Sequence, residues 1–200
     1  MTTMSASAER ICAVAVSHFA EHGYDGSSLN TIATAAGMRK PSLYAHFASK
    51  DALFLAAFFA ACAAERDFIA TCFGNADEDA APGEVFVMAL EQRYRTSEQL
   101  RMLLRCAYVP PAAHRDRIVD EFVGIHRAIG DEFDEQVRNG KARHAQLSTN
   151  RIGDLTEMYL GVVDSLHVEL MYGTARSFER RRDAMWSMFR GTLVTAAVTP

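Results

Sequence analysis

Apolar residues recur at three- and four-residue spacing through most of the chain, and no stretch sustains a period-2 alternation. The pattern predicts an all-helical protein of about nine helices, without a sheet. Its most informative stretch is 27–50. Leu29, Ile32, Ala33 and Ala36 share one face of a short helix. Gly37 falls where that face ends, at the position that favours glycine because a left-handed backbone costs it no Cβ clash. Met38 restarts the pattern, and Leu43, Tyr44 and Phe47 carry it through a second short helix. A small residue at the helix contact (Ala33), a glycine in the turn and a short second helix are what a helix-turn-helix requires.

Downstream the same periodicity predicts longer elements. A helix of about 25 residues, capped by Ser49 with Asp51 in its first turn, runs to Gly74 and spans roughly 35 Å. The segment 75–83 (NADEDAAPG) reads as a loop, with Pro82 opening the next helix. Thr96 to Gln99 reads as a capping box before SEQLRMLLRCAYV, which Pro110-Pro111 ends. A long helix is expected from Ala113 to Arg138, with Ile118, Phe122, Ile125, Ile129 and Phe133 on one face and Asn139-Gly140 closing it. Two more are expected at 150–174 and 177–197.

Composition narrows the class. Of the 200 residues, 49% are apolar and 23% charged, as in ordinary globular proteins, and no uncharged apolar run is long enough to span a membrane. The N-terminal stretch lacks a basic leader, and Glu9, Arg10 and His18 interrupt it, so it is expected to stay as a helix of a cytoplasmic protein. Cys12, Cys62, Cys72 and Cys106 show no CxxC pairing and read as buried, reduced side chains, a Cys62/Cys72 redox pair being the alternative. The net charge of −4 is unevenly shared. Arg10, Arg39, Lys40 and Lys50 against Glu9, Glu21 and Asp25 leave +1 on residues 1–50, hence −5 on the remainder. That polarity suits a duplex facing the N-terminal end, more so if two copies bind together.

With its flanks, the motif resembles the TetR family of transcriptional regulators. ICAVAVSHFAEHGYDGSSL is similar to that family's first helix and loop, and LYAHFASKDALF to its recognition-helix signature. The resemblance implies a DNA-binding domain at 1–50 and a helical ligand-binding and dimerisation domain at 51–200. It implies that Ser28, Tyr44, His46 and Lys50 meet phosphates of double-stranded DNA. Arg39, Lys40, Pro41 and Ser42 would enter the major groove, with Arg39 or Lys40 best suited to guanine. Tyr44 packing on the first helix and Pro41 acting as a helix starter are the alternatives. Ala45 departs from relatives that carry a longer polar side chain at that position, which leaves at most a thymine-methyl contact there.

For the C-terminal part the resemblance implies a homodimer through the last two helices and a pocket for a small effector. Leu155, Val162, Val163 and Leu166, with Met185, Trp186, Phe189 and Leu193, are the expected interface, and Gly161 and Gly191 the points of close approach; completing a single-chain core is the alternative. Phe59, Phe86, Met102, Tyr108, Phe122, Met158 and Tyr159 supply apolar and aromatic lining, with His126 and His167 as polar candidates. An enzyme is disfavoured. Asp164-x-x-His167 lacks the paired Glu-x-x-His of a di-iron bundle, and no metalloprotease, nucleotide or nucleophile motif stands elsewhere. No cofactor or metal is expected, and a helical binding module without DNA activity is the third class.

Overall fold

In the computed structural model, residues 5–75, 79–139 and 147–196 are described. The expected helix ends at Gly140 and Ala197, and residues 76–78 of the acidic loop, lie outside them. Among the described residues every regular element is helical: α1 Ala6–His22, α2 Leu29–Ala35, α3 Lys40–Tyr44, α4 Lys50–Gly74, α5 Glu84–Thr96, α6 Glu98–Tyr108, a 3-10 turn Ala112–His114, α7 Arg115–Asn139, α8 Thr149–Tyr172 and α9 Ala175–Ala196. No helix among them is long and apolar enough to cross a membrane. They form two compact units. The first combines 5–65 with Thr96–Phe122; the second combines Arg66–Arg95 with the described part of 123–196, so α4 and α7 contribute to both.

In the first unit α1 buries Ile11, Cys12, Ala15, Val16 and Phe19, against α2 on one side and α6 on another. Gly23 ends α1 at φ 71°, and a Cβ there would stand 2.8 Å from Arg105 Nε. From α6, Arg105 donates to Glu21 O at 3.3 Å, and Ser17 donates to Glu98. Two polar clasps therefore hold α6 along α1.

The second unit is built around Tyr159. Its ring stacks on Phe133 at 4.3 Å and meets Phe189 at 5.8 Å, while its hydroxyl donates to Gly83 O at 3.0 Å. Gln136 accepts from Gly83 N at 2.9 Å and donates to Phe73 O at 2.8 Å, so one amide satisfies the end of α4 and the entry to α5. α8 packs on α9, joined by Arg181 to Glu169 at 2.7 Å.

α5 opens at Glu84, directly after the expected loop, with Gly83 at φ 74° and Pro82 two residues ahead of the helix. The start of α6 departs from expectation. Thr96 ends α5, and Ser97 alone caps α6 by accepting from Leu100 N at 3.1 Å; with leucine at the third position no reciprocal box can form.

Candidate nucleic-acid interface

The turn between α2 and α3 is closed by backbone alone. Met38 N donates to Ala33 O at 3.0 Å and Gly37 N to Thr34 O at 3.0 Å, the paired bonds that finish a helix through a left-handed residue, and Gly37 has φ 68°. At the other end of α2, Ser28 accepts from Thr31 N at 3.1 Å, and Thr31 Oγ1 accepts from Ser28 N at 3.2 Å. This reciprocal cap fixes the helix start. Ile32, Ala33, Leu43 and Phe47 are buried and lock α3 to the unit.

That packing leaves the opposite face of α3 in solvent. Arg39, Lys40, Pro41, Ser42, Tyr44 and His46 are all exposed, as is Ser28. Arg39 is the N-cap residue, with no side-chain capping bond of its own. Lys40 is the first helical residue and Pro41 the second, one place later than a proline helix starter would stand. Lys40 Nζ lies 5.8 Å from the centre of the Tyr44 ring, which gathers cation and phenol on one side of the short helix. Tyr44 is 47% exposed, so its hydroxyl is not spent on the core.

Lys50 is placed differently. Its ammonium donates to Ser27 O at 3.0 Å and stands 4.0 Å over the Tyr24 ring. It stitches the start of α4 to the α1–α2 loop.

The structure joins Tyr24 and Asp51 to a residue that the pattern does not single out, His114. Tyr24 donates to Asp51 Oδ1 at 2.5 Å, and His114 Nε2 lies 2.6 Å from the same oxygen. The two hydrogen bonds hold the Asp51 carboxyl below its usual range, and burial together with Asp51 pushes the Tyr24 phenol up to about 12. Tyr24 beside Gly23 was a visible signal. His114 carried none.

Residues 11–57 match the family described as bacterial regulatory proteins, tetR family. The chain carries a TetR-family DNA-binding domain. That family is one of transcriptional regulators, not enzymes. The TetR-like fold extends over the rest of the chain. A TetR-family regulator from Cytophaga hutchinsonii shares 13% identity at a TM-score of 0.70, over 95% of this chain and 98% of that one. Salmonella enterica GusR shares 18% at 0.67 over 96% of each, and the fatty acid degradation regulator FadR from Bacillus halodurans shares 17% at 0.65 over 92% and 96%. No curated protein matches the chain.

The other expected sites are less concentrated. Of the pocket candidates, Phe59, Met102, Tyr108 and Phe122 belong to the first unit, and Phe86, His126, Met158, Tyr159 and His167 to the second. Phe59, Tyr108 and Met158 are exposed, whereas Tyr159 and Phe86 are core. His126 Nε2 lies 3.3 Å from Asp164. His167 Nε2 is sealed from solvent without a partner, and burial lowers its pKa to about 4, so the imidazole is neutral near pH 7.

The expected interface residues lie where the single-chain-core alternative puts them. Leu155, Val162, Val163, Leu166, Trp186, Phe189 and Leu193 are buried within one chain, and Met185 is partly so, because α8 and α9 turn these faces inward. The outward stripe consists of Met158, Gly161, Val168 and Tyr172 on α8 with Met188, Gly191 and Val194 on α9, all exposed. A Cβ added at Gly161 or Gly191 would meet nothing. All four cysteines are buried without a disulfide; burial pushes Cys12 up to about 11 and Cys106 to about 12, so those two thiols are inert.

Proposed function

We propose that the chain is a homodimeric repressor that binds a pseudo-palindromic operator and is released by a small, mainly apolar or aromatic effector. The observation that carries the reading is the division of α3. Its apolar residues are locked inside, while Arg39, Lys40, Ser42, Tyr44 and His46 stand together in solvent. Tyr44, His46, Lys50 and Ser28 anchor phosphates. Arg39 and Lys40 read guanine edges, and Ser42 tolerates several bases.

Pairing of two copies supports the same reading. The exposed stripe on α8 and α9 is small and apolar, with Met188 78% exposed and Gly161 and Gly191 open for close backbone approach. Packed against the same stripe of a second copy it forms a four-helix bundle. Two recognition helices then engage successive major grooves about 34 to 36 Å apart. An effector that prefers a different helix separation lowers DNA affinity by its difference in binding free energy between the two states.

Selection of bound sequences from a random DNA pool tests the reading. A two-fold symmetric consensus is expected. Failure of the folded, effector-free protein to retain any duplex at low salt refutes it.

A further inference from the structure

His114 lies 63 residues beyond Asp51, in the short turn between α6 and α7, yet it joins Asp51 and Tyr24 in one cluster of the first unit. Asp51 has a side chain 52% exposed, and a lone surface carboxylate of that kind moves freely in water. Here one oxygen accepts from two sides, from Tyr24 at 2.5 Å and from His114 at 2.6 Å. An ionised carboxylate only accepts, so Nε2 of His114 carries the proton in this pair. The imidazole itself cannot drift. It is buried, stacked on Phe54 at 5.4 Å and 20°, and set edge-on to Tyr24 at 5.6 Å and 83°. Tyr24 also meets Phe54 edge-on at 5.0 Å. Three rings therefore brace one another, and the carboxylate of Asp51 joins two of them.

The face of Tyr24 is the ledge on which the Lys50 ammonium rests, 4.0 Å from the ring centre, while that ammonium donates to Ser27 O. Ser27 in turn donates to Gly23 O at 2.6 Å and contacts His18 Nδ1 at 2.9 Å. The path from His114 to the phosphate-facing cation is thus His114, Asp51 and Tyr24, Lys50. We propose that His114 is a positioning residue for DNA anchoring: by holding Asp51 and Tyr24 it fixes where Lys50 and the α1–α2 loop present to the phosphate backbone. The inference rests on the DNA-binding reading above and adds to it a residue that touches no DNA.

The test uses the full chain and a labelled mixed-sequence DNA duplex, titrated by fluorescence anisotropy over a series of salt concentrations, with circular dichroism reporting the fold. His114→Leu removes the donor. His114→Gln keeps an amide N–H at similar reach. Tyr24→Phe deletes only a hydroxyl. His114→Leu is expected to weaken binding about fivefold or more and to flatten the salt dependence by up to about one unit, because a misplaced cation no longer displaces its counterion. His114→Gln restores affinity and slope to near wild type, and Tyr24→Phe falls between. A merely structural role moves the melting curve but leaves the salt slope alone. The proposal is overturned if folded His114→Leu keeps the wild-type salt slope, whatever its affinity, or if His114→Gln is as impaired as His114→Leu. Should His114→Leu not fold, Tyr24→Phe decides, wild-type behaviour of that variant overturning the proposal. Wild-type protein that ignores the duplex overturns the DNA-binding reading itself, and this inference with it.

Discussion

His167 sets a measurable pH dependence on the stability of the second unit. Its imidazole sits on α8 with Nε2 shut away from water, and burial outweighs the nearby Asp164 to bring its pKa from 6.5 to about 4. The unfolded chain returns it to about 6.5, so between those values the unfolded state binds the extra proton. The contribution is therefore fully present above about pH 6.5 and is lost as pH falls toward 4. By linkage, lowering pH from 7.5 to 5 costs about 2 kcal/mol from this residue alone. His167→Leu removes both the titration and the unsatisfied nitrogen. At pH 7.5 the variant is expected to match or exceed wild type, since an unpaired buried polar atom costs about 1 kcal/mol or more. Urea unfolding followed by circular dichroism, at one protein concentration and at both pH values, measures the difference. Wild type should lose about 2 kcal/mol more than His167→Leu between the two conditions. Equal losses in the two proteins would refute the argument, because His167 would then take up its proton as easily folded as unfolded.

Other outcomes follow from geometry already described. Gly37 and Gly83 both hold left-handed backbone, but a Cβ on Gly37 meets nothing whereas one on Gly83 lands 2.4 Å from Tyr159 Cε2. Gly37→Ala should cost about 1–2 kcal/mol and Gly83→Ala about 3 kcal/mol or more in thermal or urea unfolding, the excess being the collision with the ring. Lys50→Ala should weaken binding to all duplexes alike and lower the salt slope by about one, while Arg39→Ala relaxes preference at one base per half-site in a selection experiment. Identical behaviour of the two would contradict the separate roles assigned to them. Met188→Asp, at a position 78% exposed in the single chain, should leave the fold intact and shift sedimentation from dimer to monomer. A variant dimer as stable as wild type would place the interface elsewhere.

Local physics was legible in the amino-acid order wherever cause and effect lie within one turn of helix. Gly37 closes α2 because its neighbours' backbone bonds demand a left-handed residue, and Ser49 caps α4 by accepting from Ala52 N at 3.1 Å. Both are visible in a string of letters. The helix-turn-helix was legible for the same reason, its apolar face, turn and small contact residue being consecutive. Thr96 to Gln99 misled for a related reason: the motif exists as letters, but α5 runs on through Thr96 and shifts the cap to Ser97.

What periodicity cannot supply is the identity of the element that covers an apolar face. The stripe containing Leu155, Val162 and Leu166 is as hydrophobic as an interface needs to be, yet α9 of the same chain already buries it. The surface left open is the weaker stripe of glycines, Met158, Val168 and Met188, whose modest hydrophobicity does not stand out in a sequence. This is physically sensible. A face apolar enough to dominate the pattern is one the chain satisfies by its own folding, whereas a surface exposed before pairing must tolerate water. His114 is the polar counterpart: its partner Asp51 lies 63 residues away along the chain, across α4, α5 and α6, so no local spacing announces the pair. The strongest sequence signals in this protein therefore mark its cores and turns, and the contacts proposed with other molecules fall to the residues left between those signals.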